Sequence, residues 1–211
     1  MAVAEPPHIA APVETRLPET ADFGLEADRR GPVRAEDFEQ WVQEDGNPLE
    51  LVEGWVVPMS PGTMSAGTLA SRLAALLLPI ADERGWTLAF DARHRLSAPP
   101  ETVLFPDLVI HCAEPEYAPG TETVVRAPEL VIEILGARTA RRDVGPDGVK
   151  YLAYQMSGVQ EYYATWPDGR EAAGYRLSGG RFVPLERDSK GFFASPLLDR
   201  RLRLVPPALG D

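Results

Sequence analysis

The sequence predicts an α/β domain in which a mixed β-sheet is flanked by helices. Short apolar runs such as "TVLFPDLVI" and "PELVIEIL" are typical of strands, whereas "MSAGTLASRLAALLLPIADERG" repeats its leucines at helical spacing. The predicted elements follow one another as helix, hairpin, helix, three strands, helix and further strands. This mixed order is typical of an α/β domain.

Composition narrows the class of protein. A chain of 211 residues is the size of one domain with additions, and 44% hydrophobic and 25% charged residues are typical of globular proteins. The single cysteine, Cys112, excludes an intrachain disulfide and a zinc cluster built on cysteines. The first residues lack the pattern of a secretory signal, and the stretch "LAALLLPIA" is too short to cross a bilayer. We therefore expect a cytoplasmic protein that does not enter a membrane.

The net charge of −11 argues against a general nucleic-acid binder, because phosphate contacts usually leave a basic footprint on the protein. The same charge is compatible with an enzyme that has a local basic patch. It is also compatible with an enzyme whose acidic site holds a cation.

The N-terminal part of the chain differs from the rest. Residues 1–33 are rich in Pro, Ala and acidic residues without an apolar period, so we expect a flexible arm before a single domain over residues 34–211. "RAEDFEQWVQED" is compatible with a short helix. "PLELVEGWVVPMSP" predicts a β-hairpin that turns at Glu53–Gly54.

The long helix that follows is predicted to have Ser65 as its N-cap and to stop at Gly85. Pro79 within it would kink the helix or end it early. Three predicted strands come next, and "VKYLAYQMSG" then predicts a second helix. The last three strands are predicted in the segments "VQEYYATW", "EAAGYRLSG" and "RFVPLE".

Two of the predicted strands carry a carboxylate that a buried strand does not favour. Alternation in "PELVIEIL" places Glu133 on an apolar face between Val131 and Leu135. Asp107 follows a proline at the start of another strand, where the alternative interpretation is an ordinary turn aspartate. If the two strands are neighbours, the carboxylates converge on one cation, since hard divalent ions take oxygen ligands.

The densest basic cluster of this acidic chain directly follows Glu133. It consists of Arg138, Arg141, Arg142 and Lys150. Two carboxylates with a nearby lysine and arginines are the groups that metal-assisted hydrolysis of a phosphodiester requires, because the cations offset the developing charge. The alternatives are a solvated loop for the arginines and an exposed helix residue for the lysine.

At these segments the chain resembles a known family. The segments are "LELVEGWVVPMSP", "VLFPDLVI", "APELVIEILGARTARRD", "VKYLAY" and "GVQEYYATWPDGR". In this order they are similar to the Uma2 family of putative restriction endonucleases, within the PD-(D/E)xK nuclease superfamily. The resemblance implies a restriction-endonuclease-like fold with a magnesium site.

The resemblance also implies roles for individual residues. Asp107 matches the aspartate of the Pro-Asp motif, and Glu133 matches the acidic residue of the second motif. Both are therefore expected to bind Mg²⁺ or Mn²⁺, with Glu50 as a further ligand. The lysine usual two positions after the second acid is Leu135 here, and Lys150 matches a lysine on the following helix that supplies the charge instead.

The leading hypothesis is a metal-dependent endonuclease that hydrolyses DNA phosphodiester bonds through Asp107, Glu133 and Lys150, while the arginines of the basic cluster contact the DNA backbone. A second hypothesis is a nuclease-like fold that binds nucleic acid or regulates without turnover. The acidity favours it, as do departures from the family's motifs, among them the absence of a histidine in "MSAGTLASRL" and the loop of residues 136–139. A third is a structural dimerisation domain. Cores of this type often pair, so a homodimer is compatible with each hypothesis.

Overall fold

The computed structural model describes residues 32–39, 49–59, 62–137 and 140–204, with the backbone but not the side chain of Arg142. The predicted N-terminal arm, apart from its last two residues, lies outside this part of the chain. Residues 35–39 form a helical turn where the first helix is predicted, and the rest of that segment is not described.

Short strands make up much of the regular structure, and within the described ranges three helices beyond the turn at residues 35–39 connect or cover them. The strands of the described chain are β1 (Leu49–Val52), β2 (Trp55–Pro58), β3 (Thr87–Ala89), β4 (His94–Leu96), β5 (Thr102–Leu104), β6 (Leu108–His111), β7 (Leu130–Ile134), β8 (Glu161–Thr165), β9 (Ala172–Ser178), β10 (Arg181–Pro184), β11 (Phe193–Ser195) and β12 (Arg200–Leu202). The helices are α1 (Met64–Arg84), α2 (Ala140–Asp143) and α3 (Val149–Met156).

A six-stranded mixed sheet forms the centre of the structure, in the order β10-β9-β8-β7-β6-β3. β7 and β8 are parallel and are joined by α2 and α3, whereas the other neighbours are antiparallel. A parallel pair requires such a crossover, because both strands run in the same direction. The predicted fold class, a mixed sheet flanked by helices, is confirmed.

Both faces of the central strand β7 are buried. Leu130, Ile132 and Ile134 pack on one side with buried leucines of α1, while Val131 packs on the other side with α3. Since successive side chains of a strand point to opposite faces, a strand covered on both sides reads as a continuous apolar run. This explains the sequence "LVIEIL" and makes Glu133 the exception in it.

α1 covers one face of the six-stranded sheet through Leu69, Leu73 and Leu77, which recur every four residues. With 21 residues, it is long and apolar enough to cross a membrane by length and composition alone. This differs from the expectation that no apolar stretch of the chain is long enough. In the structure, the leucine face of the helix packs against β6 and β7.

The ends of α1 are defined by local contacts. Gly85 ends the helix in the left-handed conformation (φ 65°), as predicted. The N-cap is Thr63, whose hydroxyl accepts a hydrogen bond from the Ala66 N–H, so the predicted cap Ser65 is wrong. The helix also continues past Pro79, where an early end was one of the two expected outcomes.

A second sheet of four strands has the order β2-β1-β5-β4. It contains the predicted hairpin, in which Val52 pairs with Trp55 across the turn. Glu53 and Gly54 in the turn both have positive φ angles, 49° and 78°. A two-residue type I′ hairpin requires this conformation at both central positions.

Two apolar segments that the sequence analysis treats as single strands divide between the two sheets. "WTLAFDARHRL" supplies β3 to the six-stranded sheet and β4 to the four-stranded sheet. "TVLFPDLVI" supplies β5 to the four-stranded sheet and β6 to the six-stranded sheet. In the second segment the chain crosses between the sheets at residues 105–107, where Pro106 has no N–H to donate to either ladder. The crossing places Asp107 at the junction of the sheets.

Near the C-terminal end of the described chain, β11 and β12 form a small antiparallel sheet that the sequence analysis did not predict. Phe193 and Leu202 of this sheet are buried in the cluster that α1 forms with the six-stranded sheet. Strands of three residues are too short for alternation to be recognised in the sequence.

A buried histidine pair connects the two large sheets. His94 of β4 and His111 of β6 are 0% and 1% exposed, and their Nε2 atoms lie 3.0 Å apart. His94 Nδ1 lies 2.7 Å from the carbonyl oxygen of Ala92; because a carbonyl only accepts, Nδ1 carries the proton, and Nε2 accepts from His111. Burial lowers the pKa of His94 to about 4 and also lowers the pKa of His111, so both rings are neutral near pH 7.

We expect His94 to make the protein less stable in acid. Its pKa falls from an ordinary value of 6.5 to about 4 on folding, so the stability that the neutral ring contributes is present above pH 6.5 and is lost as the pH falls toward 4. The variant His94→Gln does not titrate at this position. The difference in unfolding free energy between wild type and variant should therefore shrink, by up to about 3 kcal/mol, between neutral and acidic pH. Urea denaturation measures this, and a pH-independent difference would contradict the expectation.

Candidate active site

Asp107 and Glu133 lie opposite each other on neighbouring strands. β6 and β7 are antiparallel with Leu108 paired to Ile132, so one step further along the ladder Asp107 faces Glu133. The Ile134 N–H donates to Asp107 Oδ2 at 2.6 Å, which ties this carboxylate to the end of β7. The condition for convergence of the two carboxylates, that their strands are neighbours, is met.

The two carboxylates differ in exposure. Asp107 is half-buried and lines a cavity, whereas Glu133 is only 4% exposed. Burial raises the pKa of Asp107 to about 6. Burial also raises the pKa of Glu133 well above its usual range, and the charge of Asp107 adds to this, although the Lys150 ammonium opposes both shifts. Two acids in this setting are stabilised in their ionised form by a cation nearby.

Lys150 supplies such a cation from α3. Its side chain is 4% exposed, and its Nζ lies 2.7 Å from Glu133 Oε1 and 3.0 Å from Glu50 Oε1. The alternative interpretation of Lys150 as an exposed helix residue is therefore wrong. Leu135, two residues after Glu133, is buried in the core next to α3.

Tyr154 is a site residue that the sequence analysis missed. Its hydroxyl donates to Glu133 Oε1 at 2.6 Å, and it is completely buried. It lies four residues after Lys150 on α3, and this spacing places both side chains on one face of the helix. The signal in the sequence is the spacing of a lysine and a tyrosine four residues apart in "KYLAY". Tyr151 is adjacent to Lys150 in the sequence, but on a helix it points in a different direction, so only the helical conformation identifies Tyr154 as the site residue.

Glu50 approaches the site from the four-stranded sheet and is completely buried on β1. In addition to its contact with Lys150, its Oε1 accepts from the Phe105 N–H at 3.1 Å, at the point where the chain leaves β5. Glu50 thus links the hairpin to the crossing that carries Asp107. These contacts assign Glu50 to the positioning of Lys150, and its direct binding of a metal stays a prediction.

The donor set fits a hard divalent cation. Hydrogen bonds engage Asp107 Oδ2 and Glu133 Oε1, but no donor in the described chain reaches Asp107 Oδ1 or Glu133 Oε2. One oxygen of each carboxylate is therefore left for a ligand. Within the described ranges no three His, Cys, Asp or Glu side chains group as a metal site. Mg²⁺ does not need three, because it often takes one or two carboxylates and fills its remaining positions with water and phosphate oxygens.

Two adjoining cavities open beside Asp107. The inner cavity has a volume of about 440 Å³ and is lined by Asp107, Phe90, Asp91 and Phe105 together with the start of α1. The outer cleft has a volume of about 1250 Å³, shares Asp91 and Phe105 with the inner cavity, and extends to Tyr117. Asp107 is therefore accessible from this side of the molecule.

The basic cluster after β7 lies only partly within the described structure. Arg138 is outside it, and nothing is known of the side chain of Arg142. Arg141, on α2, is exposed and lines a third cavity with Trp166. It lines neither the inner cavity nor the outer cleft. The contact of these arginines with a nucleic-acid backbone stays a prediction.

We expect Lys150→Met to lower the free energy of unfolding by about 3–5 kcal/mol, because it leaves the buried carboxylates of Glu133 and Glu50 without their shared cation. Lys190→Met is the matched control; Lys190 is exposed, and its loss should change stability by less than about 0.5 kcal/mol. Adding Glu133→Gln to Lys150→Met should restore part of the loss, since the two residues interact directly. Urea denaturation of the wild type and the three variants tests this, and equal effects of the two lysine substitutions would contradict it.

Comparisons with known proteins place the chain among nuclease-like folds. A family model named Uma2 and described as "Putative restriction endonuclease" matches residues 35–202. An uncharacterized protein from Synechocystis sp. is 24% identical over 112 residues, which cover 53% of this chain and 63% of that relative. The crystal structure of a putative nuclease belonging to DUF820 from Anabaena variabilis matches with a TM-score of 0.63 at 16% identity, over 82% of this chain and 96% of the other, and so shares the fold. The chain belongs to the Uma2 family of putative restriction endonucleases.

Proposed function

We propose that the protein is a Mg²⁺- or Mn²⁺-dependent endonuclease that hydrolyses DNA phosphodiester bonds. The observation that carries this proposal is the opposed pair Asp107 and Glu133, each with one oxygen not engaged in the described chain, beside the buried ammonium of Lys150. The family description and the fold shared with a putative nuclease support the same class of reaction.

In this proposal Asp107 and Glu133 hold the metal ion. When bound, such an ion polarises the phosphate and promotes the ionisation of a water molecule. Asp107 lines the inner cavity, so it would bind the metal ion on the side that faces the substrate. Glu133 is buried and would bind the same ion from the protein interior. Tyr154 fixes the orientation of Glu133 by its hydrogen bond to Oε1.

Lys150 has two tasks in this arrangement. Its positive charge favours the ionised form of Glu133, which burial alone would protonate. It also offsets negative charge that develops at the phosphate, as a fixed cation in a site of low polarity does effectively. Glu50 holds the ammonium in place from the neighbouring sheet.

A homodimer and a cytoplasmic location belong to this proposal as expectations from the sequence. Sedimentation of the purified protein tests the first of them.

Purified protein should hydrolyse DNA in the presence of Mg²⁺ or Mn²⁺ and lose this activity in EDTA. Asp107→Asn and Glu133→Gln should each lower the rate by at least roughly 100-fold, because a group that stabilises transition-state charge typically contributes 10²–10³ in kcat. Asp147→Asn is the matched control, since Asp147 is an exposed carboxylate three residues before Lys150. The readouts are the conversion of supercoiled plasmid to nicked circles and the cleavage of a labelled single-stranded oligonucleotide.

Equal activity in wild type, Asp107→Asn and Glu133→Gln would reject this assignment of the site. Calorimetric titration with Mg²⁺ or Mn²⁺ distinguishes the metal-dependent nuclease from the remaining alternative, a binding or regulatory module. Such a module leaves DNA intact under all conditions and need not bind metal.

A further inference from the structure

We infer that the substrate of this site is a single strand of DNA, whose unpaired bases stack on aromatic side chains of the inner cavity and outer cleft while Arg93 holds one phosphate. The inference rests on the proposed function and specifies its substrate. It follows from the size of the cleft, its charges, its exposed aromatic residues and the surroundings of Arg93.

The outer cleft has the size and position of a polymer-binding site. Its volume of about 1250 Å³ exceeds the roughly 300–1,000 Å³ that is typical of small-molecule pockets. It shares Asp91 and Phe105 with the inner cavity, which contains Asp107. A chain lying in the outer cleft can therefore continue into the inner cavity beside Asp107.

The charges of the cleft do not fit a duplex. Its described charged residues are Glu36, Glu39, Asp91, Glu122, Arg93 and Arg95. Arg95 makes two hydrogen bonds to Glu39, at 2.8 and 2.9 Å, and a further ion pair with Glu36, so its charge is already compensated. A duplex presents phosphates along both strands and needs rows of Lys and Arg to bind. A single strand can instead turn its bases to the wall and most of its phosphates to solvent.

The exposed aromatic residues lie where such bases would stack. Among the described residues, the large apolar side chains that remain exposed include two aromatic ones, Phe90 at 47% and Tyr117 at 53%. Phe90 lines the inner cavity, Tyr117 lines the outer cleft, and Phe105 lines both. Aromatic side chains along a groove bind successive unpaired bases with little dependence on sequence, because every base has a π-face.

Among the described residues that line the outer cleft, Arg93 is the cation that is available for a phosphate. Its guanidinium lies 5.6 Å from the centre of the Phe105 ring, and in the part of the chain that the structure describes it forms no ion pair with a carboxylate. Its Nε is buried and has no hydrogen-bond partner there. The guanidinium of Arg93 therefore carries a positive charge that no described carboxylate offsets, and this charge is available to a phosphate in the outer cleft. Phe105 in turn is held by Glu50, which connects Arg93 to the candidate active site.

Fluorescence anisotropy in EDTA measures binding without hydrolysis. The full-length protein should bind a labelled single-stranded oligonucleotide at least roughly tenfold more tightly than the duplex of the same sequence. Phe90→Ala and Tyr117→Ala should each weaken binding to the single strand by roughly 5- to 150-fold, the fold-change that loss of one base stack produces. Tyr117→Phe keeps the ring and should keep the affinity. Leu78→Ala, at a residue 48% exposed on α1 that lines neither cavity, should also leave it unchanged.

Salt dependence tests Arg93 separately. Arg93→Gln should reduce the slope of log affinity against log salt by about 0.7, which corresponds to one phosphate contact on a single strand. Arg170→Gln is the control, since Arg170 is exposed and paired with Asp168 outside the cleft.

Duplex binding as tight as single-strand binding, or unchanged affinity in both Phe90→Ala and Tyr117→Ala, overturns the inference. Hydrolysis of a single-stranded oligonucleotide by those two variants at the wild-type rate also overturns it, while the proposed nuclease function survives. Tight single-strand binding that depends on the aromatic residues supports the inference even if no DNA is hydrolysed in Mg²⁺, in which case the proposed function fails alone.

Discussion

The buried ammonium of Lys150 is the contact on which the rest of the site depends. It meets Glu133 and Glu50 in the interior of the protein, and Tyr154 donates to the same oxygen of Glu133. Removing such charges from water costs several kcal/mol per ion, and their mutual attraction offsets this only when geometry and hydrogen bonds are good. The three elements that carry these groups, α3, β7 and β1, are thereby held in a single arrangement.

This arrangement explains how a carboxylate stays accessible at the junction of two sheets. Asp107 stands where the chain passes from the four-stranded to the six-stranded sheet, and Glu50 binds both Lys150 and the backbone of that crossing. The histidine pair of His94 and His111 adds a second link between the same sheets. The inner cavity lies at this junction, with Leu49 of β1 and Asp107 both in its lining.

The acidity of the chain is compatible with the proposed substrate. A protein with a net charge of −11 cannot rely on a broad basic surface to attract DNA. In the proposed complex, base stacking on Phe90 and Tyr117 would supply affinity that does not depend on positive charge, and Arg93 would contribute one phosphate contact. The proposed active site likewise contains few positive charges of its own: one lysine, and two carboxylates that would bind a metal cation.

Local patterns in the sequence determined much of this protein. Alternation along "LVIEIL" placed Glu133 on its face of β7, and the turn at Glu53–Gly54 and the helix end at Gly85 follow from backbone preferences of single residues. The tertiary structure alone decided that "TVLFPDLVI" divides between two sheets and that Lys150 is buried rather than exposed. The reason is distance along the chain. Lys150 and Glu50 are 100 residues apart, so no local spacing reveals that they share one hydrogen bond. Likewise, the inner cavity that Asp107 lines is bounded by a residue as distant in the sequence as Leu49.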